Sequence, residues 1–208
     1  LDFYVETLKE LISDQSIDGK IHFIGYSMGG PIIGGFAHKY SAQVKSLSFI
    51  APAGFGKVQT SFPFFMKIPG VIEWSMHVLA DKFYGSAISS ETTHSSDPLS
   101  INEEEFQELF SFQMKFKGFR ESLASTIRNF NLFDARDMFK KVAAKDIPSI
   151  AIWGDNDGVV SYKGAETYSE IFHEGKVVTI KDGTHDITYR QPSEVLDAIK
   201  TFLTFQKP

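Results

Sequence analysis

The chain has 208 residues, which is long enough for one sizeable core with an insertion. Of these residues 42% are hydrophobic and 23% are charged, as is usual for a globular protein. Its formal net charge of −5 argues against a nucleic-acid partner, because phosphate binding depends on clustered lysine and arginine. The lack of cysteine excludes disulfides, thiolate metal sites and a cysteine nucleophile, and is compatible with a reducing compartment. No apolar run reaches the roughly 20 residues of a membrane span, so we expect a cytoplasmic protein.

Helices and strands alternate along most of the chain. An apolar stripe at helical spacing predicts a first helix over 2–13. A buried strand is then predicted from Ile21 to Ile24, followed by a helix from Pro31 to about Ala42. This alternation indicates parallel βαβ units, and therefore an α/β fold with a mostly parallel sheet. The stripe of the first helix comprises Val5, Leu8, Leu11 and Ile12. The later predicted elements are strands at 44–51, 149–153 and 176–180, and helices at 164–172 and from 192 onward.

The stretch 56–139 interrupts this alternation. It contains no convincing strand and is rich in phenylalanine and methionine. Ser100 with Glu103 predicts a capping box, which would place the acidic run 103–105 in the solvated first turn of a helix. We therefore predict a core formed by residues 1–55 and 140–208, with 56–139 as a helical insertion.

The sequence GYSMGG at 25–30 is the strongest functional signal, because it places Ser27 where a strand turns sharply into a helix. Such a turn, a nucleophile elbow, pushes a serine oxygen out of the sheet toward a base. Side chains at Gly25 and Gly29 are expected to collide with the neighbouring backbone, and the Met28 N–H is expected to point at a developing oxyanion. The pattern is short, and an ordinary glycine-rich turn is the alternative interpretation.

Two later strands are also followed by candidate catalytic side chains. The strand at 149–153 leads into a loop that contains Asp157, and the strand at 176–180 leads into a loop that contains His185. The carboxyl ends of parallel strands share one edge of a sheet, where active sites collect. The sequence therefore predicts that Ser27, Asp157 and His185 meet at this edge.

These three motifs together resemble the α/β-hydrolase superfamily, in which the chain order is serine, then aspartate or glutamate, then histidine. The resemblance implies that Ser27 is the nucleophile, Asp157 the acid and His185 the base, with Met28 as an oxyanion donor. It also implies that 56–139 forms a helical cap over the active site. No cofactor and no metal are expected.

Other titratable residues near the motifs are interpreted as structural. By the resemblance Asp155 is a turn residue, because the acid of this family stands three residues after the glycine. Asp182 and Asp186 flank the histidine and are interpreted as solvated, while His22 lies within a strand and is interpreted as a packed, hydrogen-bonded core residue. The remaining histidines lack ligand spacing, and they are His38, His77, His94 and His173.

The aromatic side chains of 56–139 have two interpretations. They could line an apolar pocket for an acyl chain, or they could simply keep short helices attached to the core, and both can hold together. The pocket hypothesis assigns five residues to substrate binding. They are Phe62, Phe64, Phe65, Trp74 and Met114.

The family's first strands, and the loop that carries the second oxyanion donor, have no counterpart in this sequence. The strand at 21–24 would then have an open edge, so we expect an N-terminally truncated sequence. The predicted function is a serine hydrolase that acts on a small-molecule ester with an apolar acyl or alcohol group. The alternatives are a thioesterase, a hydrolase of carbon–carbon bonds, or a non-catalytic ligand-binding relative with an incomplete oxyanion hole.

Overall fold

The structure is a computed structural model, and it describes residues 1–56, 70, 96–130 and 134–205, without the side chains of Glu103, Phe110 and Ile127. The chain divides into two compact units, one of Leu1–Gln59 with Asn131–Pro208 and one of Thr60–Phe130. In the described ranges, no helix is both long enough and apolar enough to span a membrane.

The elements follow in chain order. They are α1 (Asp2–Asp14), β1 (Ile21–Tyr26), α2 (Gly29–Lys39), a 3₁₀ turn (Ser41–Gln43), β2 (Val44–Ile50), α3 (Glu103–Gln113), α4 (Phe119–Asn129), α5 (Arg136–Ala143), β3 (Ser149–Gly154), α6 (Lys163–Ile171), β4 (Lys176–Ile180), α7 (Ile187–Arg190) and α8 (Pro192–Thr204).

The four strands found in the described residues form one parallel sheet in the order β1-β2-β3-β4, which confirms the predicted α/β fold. Tyr26 pairs with Ile50, Ile50 with Ile152 and Ile152 with Val178, so the register is continuous across the sheet. As a result, the carboxyl ends of all four strands lie along one edge, from which the loops with the predicted catalytic residues emerge.

Both faces of the central strands are covered. All six residues of β3 are buried: Trp153 packs on the face that holds α1, α2, α5 and α6, and Ile152 packs on the face that holds α8. Burial on both faces explains why β2 and β3 read as nearly continuous apolar runs. The sequence therefore predicts these central strands to within one residue.

The first compact unit resumes at residue 131, earlier than the predicted core boundary at 140. Phe139 on α5 is fully buried, and its ring stacks on Phe55 with 4.0 Å between the centroids. Phe49 of β2 contacts both rings edge-on. This aromatic cluster places α5 with the sheet, whereas the role of the preceding segment as a cap stays a prediction.

Two apolar residues predicted to be buried are exposed instead. Among the described residues β1 is an edge strand, and Ile24 is 52% exposed because nothing described covers its face. Leu11 on α1 is 54% exposed, because it lies one residue, about 100°, from Ile12 and falls at the border of the buried stripe. The expectations of burial at these two positions were therefore wrong.

The second compact unit contains α3 and α4, and α3 is capped differently from the prediction. The side chain of Asn102 accepts a hydrogen bond from the Glu105 N–H at 2.9 Å, and the Glu105 carboxylate accepts one from the Asn102 N–H at 3.0 Å. This reciprocal pair is the capping box of α3. The predicted box was wrong by two residues, because the Ser100 hydroxyl donates to the Asp97 carbonyl instead.

Candidate active site

Ser27 occupies a strained turn between β1 and α2. Its φ angle is +51°, in the left-handed region that non-glycine residues rarely adopt. The Ser27 N–H donates to the Ile50 carbonyl at 2.9 Å, and its carbonyl accepts from the N–H groups of Gly30 and Ala53, each at 3.0 Å. Such a conformation costs about 1–3 kcal/mol and persists where the surroundings enforce it. Here three backbone hydrogen bonds hold it.

The two glycines that flank the serine have different environments. A Cβ atom added at Gly25 would lie 2.6 Å from the carbonyl oxygen of Gly29 and 2.9 Å from Ile33 Cδ1, so a side chain is excluded there. At Gly29 the expected collision was wrong, because an added Cβ has no neighbour within 4 Å. The tight turn therefore requires a glycine before the serine, and it does not sterically require the one after Met28.

Met28 places its N–H at the beginning of α2. Within the described part of the chain this N–H has no hydrogen-bond partner. The first N–H groups of a helix lack intrahelical acceptors and lie at the positive end of the helix dipole. The Met28 N–H is thus free to donate a hydrogen bond to an oxyanion. Such an oxyanion would form if Ser27 attacked a carbonyl carbon.

Asp157 is held rigidly in the loop after β3. Its side chain is fully buried, and Oδ1 accepts hydrogen bonds from the N–H groups of Val159 at 2.9 Å and Val160 at 2.7 Å. The indole N–H of Trp153 donates to the Val160 carbonyl at 2.9 Å and ties the loop to the core. Asp155, interpreted from the resemblance as a turn residue, is exposed.

His185 lies between the acid and the serine. Its Nδ1 atom is 2.8 Å from Asp157 Oδ2, and its Nε2 atom is 3.0 Å from Ser27 Oγ. Both distances are those of good hydrogen bonds. The structure thus brings together the three side chains that the sequence predicted, although 158 positions separate the serine from the histidine.

The acid and histidine loops are joined by a close approach of two glycines. A Cβ atom added at Gly154 would overlap the carbonyl group of Gly183. The Gly183 carbonyl also accepts a hydrogen bond from the Asn156 N–H at 2.9 Å, and the Asp155 N–H donates to the Ile180 carbonyl at 3.2 Å. These contacts fix the distance between the loops on which the Asp157–His185 hydrogen bond depends.

Sequence reasoning did not single out Tyr26, which also contacts His185. The Tyr26 hydroxyl donates a hydrogen bond to the backbone carbonyl of His185 at 2.8 Å, and its ring stacks on the imidazole with 5.2 Å between the centroids. The alternation of side chains along β1 gives the face on which Tyr26 lies. This alternation does not indicate that Tyr26 contacts a residue in the loop after β4.

Asp182 and Asp186 differ in their surroundings. Asp182 is exposed, as predicted, and the Asp186 side chain is also solvent-accessible, but it has side-chain partners that the sequence did not indicate. The carboxylate of Asp186 accepts hydrogen bonds from the Thr184 hydroxyl and, at 3.2 Å, from Arg190 Nε. Neither aspartate is the hydrogen-bond partner of the His185 ring, so Asp157 is the carboxylate that orients it.

No group of histidine and carboxylate side chains within the described ranges is arranged to hold a metal ion. His22 lies within hydrogen-bonding distance of the Ser46 hydroxyl, with 2.6 Å between Nδ1 and Oγ, and burial lowers its pKa. The expected hydrogen-bonding partner is therefore present, but His22 is only half-buried and is not a core residue.

One of the five predicted substrate-binding residues lies within the described ranges. Met114 follows α3 in the second compact unit and is half-buried. Its role stays a prediction. The others lie outside the described residues, and they are Phe62, Phe64, Phe65 and Trp74.

Comparison with known proteins gives the family. The family model described as "alpha/beta hydrolase fold" matches residues 1–190. The chain therefore belongs to the α/β-hydrolase family, in agreement with the resemblance noted from its motifs.

Similar proteins include lipases and an esterase. The chain is 25% identical to Lipase 3 of Moraxella sp. (strain TA144) over 201 residues, covering 88% of this chain and 56% of that protein. It is also 25% identical to mouse monoacylglycerol lipase ABHD6, covering 88% of this chain and 54% of that protein. It thus spans about half the length of these relatives. A solved structure from a study of carboxylesterases of the thaumarchaeon Nitrososphaera gargenis matches with a TM-score of 0.73 at 17% identity, over 99% of this chain and 72% of that one.

Proposed function

We propose that this protein is a serine hydrolase that cleaves a carboxylic ester with an apolar acyl or alcohol group. The observation that carries the proposal is the unbroken path of two hydrogen bonds from Asp157 through His185 to Ser27. The names of the lipase relatives support an ester substrate. In this reading Ser27 is the nucleophile, His185 the general base and Asp157 the acid that orients the base.

In the first half of the reaction, Nε2 of His185 removes the proton from Ser27 Oγ as that oxygen attacks the ester carbonyl carbon. The imidazolium then donates the proton to the leaving alcohol, and an acyl-serine remains. Asp157 accepts a hydrogen bond from Nδ1–H, so the tautomer with a free Nε2 faces the serine. Two backbone N–H groups already occupy the other carboxylate oxygen, and this keeps Oδ2 directed at the ring.

In the second half, water attacks the acyl-serine with His185 again as the base. Both tetrahedral intermediates place negative charge on the former carbonyl oxygen. The Met28 N–H is the proposed donor to this oxygen, and one such donor contributes roughly 3–4 kcal/mol to transition-state stabilisation. Its position at the beginning of α2 adds the favourable field of the helix dipole.

The proposed apolar substrate rests on the aromatic segment 56–139, which we propose to be a helical cap. Large apolar side chains would bury an acyl chain and leave the ester group at Ser27, because each buried methylene contributes about 0.8 kcal/mol. The proposed pocket residues are Phe62, Phe64, Phe65, Trp74 and Met114.

The direct test is the hydrolysis of p-nitrophenyl esters by the protein and by Ser27→Ala. Turnover is expected to fall by roughly 10⁶, as when the nucleophile of other serine hydrolases is removed. Ser169→Ala is the matched control, because its hydroxyl bonds to the Ala165 carbonyl on α6 and contacts none of the three proposed catalytic side chains. Equal turnover by the wild type and Ser27→Ala would overturn the proposal.

A series of these esters with acyl chains of increasing length tests the substrate class. An apolar pocket predicts that kcat/KM rises with each added methylene, by up to about fourfold per step, until the pocket is filled. A rate that is highest for acetate and falls with length would contradict an apolar acyl site.

A further inference from the structure

Tyr26 is the last residue of β1 and precedes Ser27. It contacts His185 in two ways, through its hydroxyl and through its ring. The hydroxyl donates to the backbone carbonyl of His185 at 2.8 Å, and the ring lies against the imidazole with 5.2 Å between centroids and 29° between planes. The strand that carries the serine thus also holds the histidine, 159 residues later in the chain.

These contacts restrain a motion that the other contacts of His185 leave free. The hydrogen bonds to Asp157 and Ser27 meet the imidazole at its two nitrogens, in the plane of the ring. Two in-plane bonds at opposite edges permit the ring to tilt about the line that joins them. A ring stacked on the imidazole face opposes this tilt, and a hydrogen bond to the His185 carbonyl fixes the main chain from which the side chain extends.

We propose that Tyr26 is a positioning residue for the catalytic base: its ring sets the tilt of the His185 imidazole and its hydroxyl anchors the His185 backbone. This inference rests on the proposed function. Alignment matters because a misplacement of about 1 Å can reduce a rate about 100-fold. The imidazolium that forms during the reaction also faces the π-electrons of Tyr26, which attract a cation.

The hydroxyl of Tyr26 is suited to this role. Burial raises the pKa of Tyr26 well above its ordinary value, so the hydroxyl stays protonated and can donate its hydrogen bond at neutral pH. Tyr189 contacts the Tyr26 ring edge-on, with 6.3 Å between the centroids. Tyr26 is therefore itself held between the short helix α7 and the imidazole.

Two variants separate the functions of hydroxyl and ring. Tyr26→Phe keeps the ring stacked on the imidazole and removes the hydroxyl that donates to the His185 carbonyl. Tyr26→Leu removes both the aromatic ring and the hydroxyl. We expect Tyr26→Phe to lower kcat for a p-nitrophenyl ester about 10-fold and Tyr26→Leu about 100-fold, with KM changed less than about twofold. A loss confined to kcat indicates a misaligned base, because substrate contacts are unchanged.

Tyr168→Phe is the matched control. The Tyr168 hydroxyl is buried and lies 2.7 Å from the Ser149 hydroxyl, so the control also loses a tyrosine hydrogen bond inside the protein, away from the three proposed catalytic side chains. Its kcat is expected to stay within about twofold of the wild type. Circular dichroism at the assay temperature ensures that all variants are compared as folded proteins.

A proton NMR signature adds a measurement that a loss of stability alone would not change. The His185 Nδ1 proton, which is shared with Asp157, is expected to give a downfield resonance that Asp157→Asn abolishes. In Tyr26→Phe this resonance is expected to broaden through faster exchange with water, and in Tyr168→Phe it is expected to be unchanged.

The outcomes separate this inference from the proposed function. If Ser27 of the wild type reacts with a fluorophosphonate but Tyr26→Phe has wild-type kcat and an unchanged resonance, the inference is overturned and the function stands. If Ser27 of the wild type does not react, the proposed function fails and the positioning role fails with it.

Discussion

The turn that carries Ser27 and the loop that carries His185 are held by different kinds of contact. Backbone hydrogen bonds around one left-handed residue fix the serine. The histidine loop also has backbone hydrogen bonds to the acid loop, but the imidazole itself is held by the side chains of Asp157 and Tyr26. The two loops meet where Gly154 packs against Gly183. The serine side chain should therefore be replaceable without harm to the fold, whereas changes around the histidine should disturb activity and stability together.

On the histidine side of this comparison, Asp157→Asn is expected to have the strongest effect. In Asp157→Asn, an amide N–H₂ directed at Nδ1 favours the tautomer whose Nε2 carries the proton and cannot accept one from Ser27. We expect kcat for ester hydrolysis to fall by about 10⁴.

Asp155→Asn is the control for this prediction, because Asp155 is exposed in the same loop. Its kcat is expected to equal that of the wild type. Similar losses in the two variants would mean that loop charge, and not the orientation of His185, explains the effect.

The next effect concerns the contact between the two loops. In Gly154→Ala the new methyl group would overlap the Gly183 carbonyl, and overpacking of this kind costs about 1–3 kcal/mol of unfolding free energy. Gly158→Ala, in the same loop, has open space for its methyl group and is expected to change stability by less than about 0.5 kcal/mol. Urea unfolding of both variants measures the difference, and equal stabilities would show that the loops are not in tight contact.

A smaller effect tests the strain on the serine side. Ser27→Gly should be more stable than Ser27→Ala by about 1 kcal/mol, because a left-handed conformation is unfavourable for any residue with a Cβ atom. Both variants lack the hydroxyl, so the comparison isolates the backbone. Equal midpoints of urea unfolding would indicate that the turn is not strained.

The smallest effect is expected at Gly29. Its alanine substitution meets no atom within 4 Å and lies at the first position of α2, so unfolding free energy should change by less than about 0.5 kcal/mol. Gly25→Ala, two residues before Ser27, should instead lose about 1–3 kcal/mol to the clash with the Gly29 carbonyl. A large loss at Gly29 would mean that the turn is tighter than described.

The same contrast explains what the sequence could predict. Strands β2 and β3 are buried on both faces, so continuous apolar runs predicted their positions, and the chain order of Ser27, Asp157 and His185 predicted which loops converge. Local patterns report periodicity and the residue types that a turn tolerates. They therefore predicted the central strands and the position of the serine turn.

Sequence patterns could not predict contacts between residues that are distant in the chain and close in the folded protein. The contact of Tyr26 with His185 joins the end of β1 to the loop after β4, and the open environment of Gly29 depends on atoms that no motif specifies. The predicted burial of Ile24 was wrong for the same reason. An apolar run predicts a strand, but it does not say which elements cover the faces of that strand. The capping box shifted to Asn102 because several adjacent residues can cap a helix, and local hydrogen bonding selects among them.

Covalent labelling with a fluorophosphonate, followed by peptide mapping in a mass spectrometer, shows whether Ser27 is an activated nucleophile. This probe reacts with a serine whose proton a neighbouring base removes. We expect one adduct, on the peptide that contains Ser27, and a much slower reaction in Asp157→Asn. A folded protein that forms no adduct, or that forms one on a different residue at the wild-type rate in Ser27→Ala, would show that Ser27 is not the nucleophile.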